Sequence, residues 1–407
     1  MIKITHIWQE ALIKSDDSLT VSFTIEQPDD RDRQTLWYRL PLKYSNYVTS
    51  SCDPFLVAYI LPAMNQSTNL MIHGEISPSL LQNIAEFQIF WNCWRPQKYH
   101  IIDISAEVEK ESEVIDSDRA LCTFSGGVDS CFTASRHAMN HCGRVRRNVQ
   151  AGVMVHGYDI PLEQEEIFES AKAKAYKILD SINVELIPIV TNYRKIIFTP
   201  WEDSYGGAIA SALMLLKKHY TTGLLASAFP YQNLMLPRGS NPVSDQFLCS
   251  KTFQFFHDGA GFNRLQKIEE ISQWPEALEN LRVCWEGKQL DRNCGVCEKC
   301  IRTLLGFRVM GIELPPCFPQ DISDSQIENL KATSAIKLAE LELIWETAKK
   351  AHISASWVNS LEICIQRNRQ RNPRLAVWDH WKNQIKQQLP PPLVKKIENL
   401  GARFLKP

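Results

Sequence analysis

Ala120-Leu121-Cys122-Thr123-Phe124-Ser125-Gly126-Gly127-Val128-Asp129-Ser130 reads as a short apolar strand, a Ser-Gly-Gly turn and the start of a helix at Val128. Gly126 and Gly127 permit positive φ and let a ligand approach the backbone closely. The helix that follows offers free N–H groups and the positive end of its dipole, which together make an anion site. Ser125 and Ser130 add hydroxyl donors. Asp129 adds a carboxylate where a phosphate-bound Mg²⁺ wants an oxygen ligand. A pyrophosphate suits this geometry.

Downstream, strands and helices alternate, which implies a parallel sheet covered on both faces. Helices are expected at Val128–Met139, Pro161–Leu179 and Gly206–His219, and strands at Val149–His156, Val184–Val190 and Thr222–Ala228. Ligands in such sheets sit beyond the carboxyl ends of the strands. That places Val155, whose backbone can read a purine ring, and His156 beside the loop, with Arg194 beyond the third strand; a packed or capping role explains His156 equally well. Residues 229–258 form a long irregular segment, and loops of that length inside a compact domain are commonly functional. There, Arg238, Asp245 and Lys251 supply charge for a carboxylate, a phosphate or a second metal contact. A solvated loop explains the same residues equally well.

Upstream, residues 1–110 read as a separate α+β module. Leu19, Val21, Phe23 and Ile25 alternate as in a half-buried strand. Further strands are expected at Leu36–Leu40, Leu70–His73 and Tyr99–Ile104, with helices at Pro54–Leu61 and Pro78–Trp94. The charged stretch 111–118 is expected to link this module to a unit spanning 119–318. Beyond it, 319–407 is expected to be a helical extension, opened by a capping box at Ser323–Gln326. Arg367, Arg369, Arg371 and Arg374 in its tail suit an acidic partner, RNA or simply a solvated helix face.

Cys284, Cys294, Cys297 and Cys300 form a C-x9-C-x2-C-x2-C run. Four thiolates on two short turns can close a tetrahedron around Zn²⁺, and a shell of four protein ligands is structural rather than catalytic. A [4Fe–4S] cluster also takes four cysteines, and reduced thiols are the third reading. The 407 residues carry 44% apolar and 22% charged side chains and a net charge of −1. That gives no global pull toward nucleic acid or membrane. No apolar run reaches the roughly 18 residues that span a bilayer. The opening residues are not expected to act as a signal peptide, and twelve cysteines in so long a chain point to thiols and a metal rather than disulfides. The expected compartment is the cytoplasm.

Because no Lys follows the glycines, the loop is not that of kinase-type NTPases. The Ser-Gly-Gly-x-Asp-Ser string resembles the PP-loop of ATP pyrophosphatases, which split ATP between its α and β phosphates. Together with the cysteine run, Gly157-Tyr158 and Leu281-Arg-Val-Cys-Trp, it resembles the 7-cyano-7-deazaguanine synthase (QueC) family over about half the chain. The resemblance implies a doubly wound α/β fold with a structural zinc knuckle. It also implies ATP–Mg²⁺ on Ser125, Gly126, Gly127, Val128, Asp129 and Ser130, and zinc on the four cysteines. Enzymes of this family adenylate 7-carboxy-7-deazaguanine, admit ammonia to give an amide, then dehydrate it to a nitrile. On this reading Asp129, Ser130 and Lys251 are the catalytic candidates, and Arg194, Arg238 and Asp245 bind the small-molecule carboxylate.

The family's Tyr-Pro-Asp-Cys-Arg string is absent, and Ser240–Asp245 lies in the comparable region. The extra domains look more like QueC-like proteins of anti-phage defence operons (Qat systems and type IV CBASS), which suggests an operon partner or a protein amine as acceptor. Two other readings stand beside this one. One is a nucleotide-binding scaffold that does not turn over, and the other is a tRNA-modifying PP-loop enzyme, for which tight, salt-sensitive RNA binding would be diagnostic.

Overall fold

The computed structural model describes residues 3–28, 33–234 and 236–371. The chain divides into a first unit, Met1–Cys294 with Pro315–Pro319, and a second, Gly295–Leu314 with Gln320–Pro407.

The first unit is built on one sheet of eleven strands: β1 (Ile4–Gln9), β2 (Ile13–Lys14), β3 (Ser18–Glu26), β4 (Gln34–Pro41), β5 (Asn69–Ile76), β6 (Ile104–Glu109), β7 (Arg119–Thr123), β8 (Asn148–His156), β9 (Glu185–Thr191), β10 (Thr222–Ala226) and β11 (Gln254–Asp258). Their order is β11-β10-β7-β8-β9-β4-β3-β1-β5-β6, with β2 beside β3. Strands β7–β11 pair in parallel. The chain runs outward from β7 through β8 to β9, then returns to lay β10 on the other flank of β7. That reversal is a topological switch point, where the first turns on either side diverge and leave a crevice at the carboxyl edge.

The helices of this unit are α1 (Asp53–Gln66), α2 (Pro78–Trp94), α3 (Val128–Ala138), α4 (Glu165–Asp180), α5 (Tyr193–Ile196), α6 (Trp201–Met214), α7 (Arg264–Ser272) and α8 (Pro275–Asn280). Alternate strand residues point to opposite faces. Leu121, Ala151, Val153, Ile187 and Ile189 share a core with Ala208–Leu216 of and just beyond α6. On the other face, a Cβ at Gly152 would meet the Leu179 side chain of α4 at 2.6 Å, so α4 packs closely on the strand there. Both faces are covered, as parallel strands require.

The segment expected to be a separate module extends this same sheet. Strand β4 pairs antiparallel with β9 through Tyr38–Thr191 and Arg39–Val190. Side chains lengthen the seam: Trp37 N–H donates to Asn192 Oδ1 (2.9 Å), Asn192 Nδ2 to Thr35 O (2.8 Å) and Thr191 Oγ1 to Trp37 O (2.8 Å). One core runs from Ile7 and Phe23 to Phe253 and Phe255. Helix α2 matches its expected limits, and α1 extends further than expected. The strand expected at Tyr99–Ile104 begins only at Ile104. Tyr99 instead closes a turn after α2, its N–H donating to Arg95 O. Strand β6 runs to Glu109 and ends just short of the stretch expected to be linker.

The second unit holds α9 (Glu298–Val309), α10 (Asp324–Glu328), α11 (Ala335–Lys350) and α12 (Ser356–Arg371). It takes in 295–314, which was expected to belong to the preceding domain. The capping box at Ser323 and Gln326 is formed, but its helix is short. Ser334 Oγ then accepts from Lys337 N–H and starts a second helix, so Ile327 and Leu341 lie on separate helices. Within this unit Arg302 ties α9 to α11 by pairing with Glu298 and Glu340. Arg367 and Arg369 pair with Glu328 and Glu342. Arg374 lies outside the described residues. No helix among the described residues is long and apolar enough to cross a membrane.

The first turn of α1 is fixed to the end of the α6 segment by a buried ion pair. Asp53 accepts from Ser77 N–H (2.8 Å) and Ser77 Oγ (2.6 Å) and pairs with Lys217, both charges being essentially inaccessible to water. Removing one partner strands the other, so Lys217→Met should cost about 3–5 kcal/mol. Urea denaturation of Lys217→Met and of the double variant with Asp53→Asn tests this, the double variant recovering part of the loss.

Candidate active site

Strand β7 delivers Ser125 to the crevice, and the turn behind it is the expected one. Gly126 sits at φ +74°, a conformation that favours glycine. Gly127 is the N-cap of α3. Ser130 Oγ donates to Gly127 O (3.1 Å) and accepts from Ser125 N–H (3.2 Å), while Ser125 Oγ accepts from Gly127 N–H (3.4 Å). The two hydroxyls thus hold the loop open around the helix N-terminus.

Beneath the loop lies a cavity of about 220 Å³. Its polar wall includes Ser125, Asp129, Ser130, Asp159 and Arg282, and its apolar wall includes Phe124, Val155, Phe168, Trp201 and Leu213. An apolar wall meeting a Ser-Gly-Gly turn at a helix N-terminus could take a ligand with an aromatic ring and a phosphate tail.

Three cations bear on the loop, none of them expected. Helix α7 opens with a capping box between Asn263 and Gln266, which points Arg264 and Lys267, one turn apart, the same way. Lys267 Nζ lies 3.1 Å and Arg264 Nη1 3.3 Å from the Asp129 carboxylate. Lys267 also donates to Ser227 O at the end of β10, so it bridges the switch point. Its side chain is 2% exposed, and burying an ammonium is costly unless it is paired and hydrogen-bonded, as it is here. Arg282 clamps the loop from the other side. Its N–H donates to Gly126 O (2.7 Å) and its Nε to Ser125 O (3.2 Å), while Nη1 bonds Leu290 O (3.0 Å). The Asn263-x-x-Gln266 capping signature was legible in the sequence, but nothing there links it to Asp129.

Other expected site residues are placed elsewhere. His156 does not line the cavity; it is buried, stacks on Phe168 at 4.4 Å and donates from Nε2 to Pro161 O (2.9 Å). Lys251 is exposed just before β11. Since β11 is parallel to β7, that is the amino edge of the sheet, away from the loop. Asp245 is buried, accepting from Ser240 Oγ (2.7 Å) and Asn241 N–H (3.0 Å) and pairing with His257 (2.8 Å). It organises the 238–245 turn. Arg238 pairs with Glu202 (3.0 Å) and lies over Phe229 and Tyr205. Arg194 lies over Trp201, donates to Tyr158 O (3.0 Å) and lines a neighbouring depression. Val155 alone of the non-loop candidates reaches the cavity.

The ligand atoms of Cys284, Cys294, Cys297 and Cys300 lie within 4.8 Å of one another. Zn–S bonds of about 2.3 Å set sulfurs roughly 3.8 Å apart around a tetrahedral ion, so the group can hold one metal ion such as zinc. Asn293 shapes the approach, accepting from Val283 N–H (2.8 Å) and donating to Leu281 O (2.8 Å) and Cys317 O (3.1 Å). Cys122 and Cys131 are buried, and burial pushes the Cys122 thiol up to about 12. They pack as small apolar residues. No family model, curated protein or solved structure matches this chain.

The far side of α3 is anchored by Asp258, which accepts from Thr133 Oγ1 (2.8 Å), Arg136 (3.2 Å) and His137 Nε2 (3.1 Å). Burial alone would raise its carboxyl, but the His137 and Arg136 interactions and the Thr133 hydroxyl outweigh it and hold the pKa below its ordinary value. Such a group stabilises the fold above the unfolded carboxylate pKa of about 3.9, and the contribution is lost as pH falls through the folded value. Asp258→Asn should therefore be less stable than wild type at pH 7, with the gap closing below about pH 4, as urea titrations across pH would record. Elemental analysis should find one metal ion per chain, and Cys297→Ser with Cys300→Ser should lose it and unfold at lower temperature.

Proposed function

We propose that this chain is an ATP-dependent ligase that adenylates a carboxylate and releases pyrophosphate. The substrate is 7-carboxy-7-deazaguanine or a related deazapurine. The observation that carries this reading is one cavity in which the Ser125–Ser130 loop, Asp129 and an apolar slot converge at the switch point of a parallel sheet. Val155 and Phe168 would flank the adenine, and the N–H groups opening α3 would face the phosphates.

In the first step a carboxylate oxygen bonds to the α-phosphorus, and the bond to the bridging oxygen breaks with its electron pair leaving on pyrophosphate. An amine then attacks the acyl carbon, AMP departs with its electron pair, and the amine proton passes to solvent. Carboxylate oxygen is a poor leaving group and AMP a good one, which is why the activation is needed. Lys267 and Arg264 are set against the pyrophosphate as its charge develops, and Arg282 holds the loop that receives it. Mg²⁺ bound with the nucleotide would add charge neutralisation, and Asp129 offers the oxygen ligand it needs. Zinc in the four-cysteine group would hold structure and take no part in the chemistry.

A protein amine or ammonia serves as acceptor, the former matching the resemblance to defence-operon proteins. A protein amine ends at the amide; with ammonia the primary amide can be adenylated in turn by a second ATP, its oxygen leaving on AMP and both N–H protons passing to solvent, to give a nitrile. Pyrophosphate release from Mg-ATP, with and without 7-carboxy-7-deazaguanine, tests the reading. Release should depend on the carboxylate. It should fall by about 10²-fold or more in Asp129→Ala and in Lys267→Met, as loss of a preorganised electrostatic partner does. Carboxylate-independent release, or none from protein that binds ATP, would count against it.

A further inference from the structure

Helix α6 walls the cavity through Trp201, Ile209, Ala212 and Leu213, yet it is held in place from the N-terminal segment. Asp203, in its first turn and 1% exposed, takes three donors on a single oxygen. These are Lys98 Nζ (2.6 Å), Tyr99 Oη (2.6 Å) and Arg95 Nη1 (3.1 Å), all from the turn that follows α2. Three charged or polar donors from one rigid turn converging on one atom fix both the rotation and the axial position of the helix. Further along, Tyr38 Oη meets Ser211 Oγ at 2.8 Å, and a Cβ on Gly207 would lie 2.8 Å from Val57 O. Helix α1 therefore presses directly on the back of α6, and two residues before Asp203 stands Trp201, on the cavity side.

We propose that Asp203 is a positioning residue for the nucleotide cavity, and that residues 1–110 are a working part of the site, setting the width of the slot through α6. The inference rests on reading the cavity as an adenine-nucleotide site. Arg95 and Lys98 reach Asp203 with side chains 38% and 27% exposed. Loss of the carboxylate charge therefore leaves them solvated rather than stranded, and the variant stays folded with a displaced helix.

The test is equilibrium binding of a non-hydrolysable ATP analogue to full-length wild type, Asp203→Asn and Tyr99→Phe, with thermal melts of each. Ile84→Ala, a core truncation in α2 about 16 Å along the helix from the Arg95 turn, serves as the control for general destabilisation. Asp203→Asn should weaken binding by about tenfold and Tyr99→Phe by less, and both should raise KM for ATP with little change in kcat. Ile84→Ala should lose melting temperature without that loss of affinity. Unchanged affinity in Asp203→Asn, or an equal loss in Ile84→Ala, overturns the inference while leaving the ligase reading intact. A wild-type chain that binds no adenine nucleotide overturns both.

Discussion

The antiparallel seam between Gln34–Pro41 and Glu185–Thr191 is the constraint on which the first unit depends. Without it there would be a five-stranded parallel sheet with an open edge at β9 and a second sheet with an open edge at β4. Each edge would expose a row of unpaired N–H and C=O groups. The ladder itself is short, and Asn192 and Thr191 lengthen it by bonding the opposite backbone with their side chains. One apolar core can then run beneath both halves, and α1 and α6 can pack across the join.

The parallel half was the more legible because its signals are local. Apolar runs bounded by turns at 120–124, 149–156, 184–190 and 222–228 became strands within a residue or two. The Ser-Gly-Gly turn needs nothing distant to be recognised. Strand β1 was not anticipated: Ile4–Gln9 is short, and its two flanks pair with β3 and β5, whose positions the sequence does not announce. Tyr99 and Ile102 were apolar for a different reason than strand pairing. Tyr99 turns its hydroxyl to Asp203, and the ladder starts only after it.

The same distinction separates the site residues. Ser125, Gly126, Asp129 and the four cysteines lie in compact strings, so their convergence follows from chain connectivity. Lys267 and Arg282 reach the loop from 138 and 157 residues away, and no spacing rule connects them. Lys251, His156 and Asp245 erred in the other direction. Their residue types suit the chemistry, but Lys251 falls at the wrong end of the strands, and the other two are consumed by local bonding to Pro161 and to the 240–241 turn. A polar side chain advertises what it can do, while topology decides whether it is there to do it.

Helix α1 has an unusual surface. Every residue from Asp53 to Met64 is buried, whereas a helix lying on a domain surface keeps one polar stripe for water. It therefore has no stable partner-free state. One of its flanks is completed by α6, whose residues follow about 150 positions later in the chain. During synthesis, at about 5–20 residues per second, this apolar rod emerges many seconds before the helix that will cover it. The N-terminal strands can shelter one side meanwhile, but the other must wait, leaving a sticky nascent chain that suits chaperone capture. The arrangement that shapes the cavity in the finished protein also makes its first half depend on its second for folding.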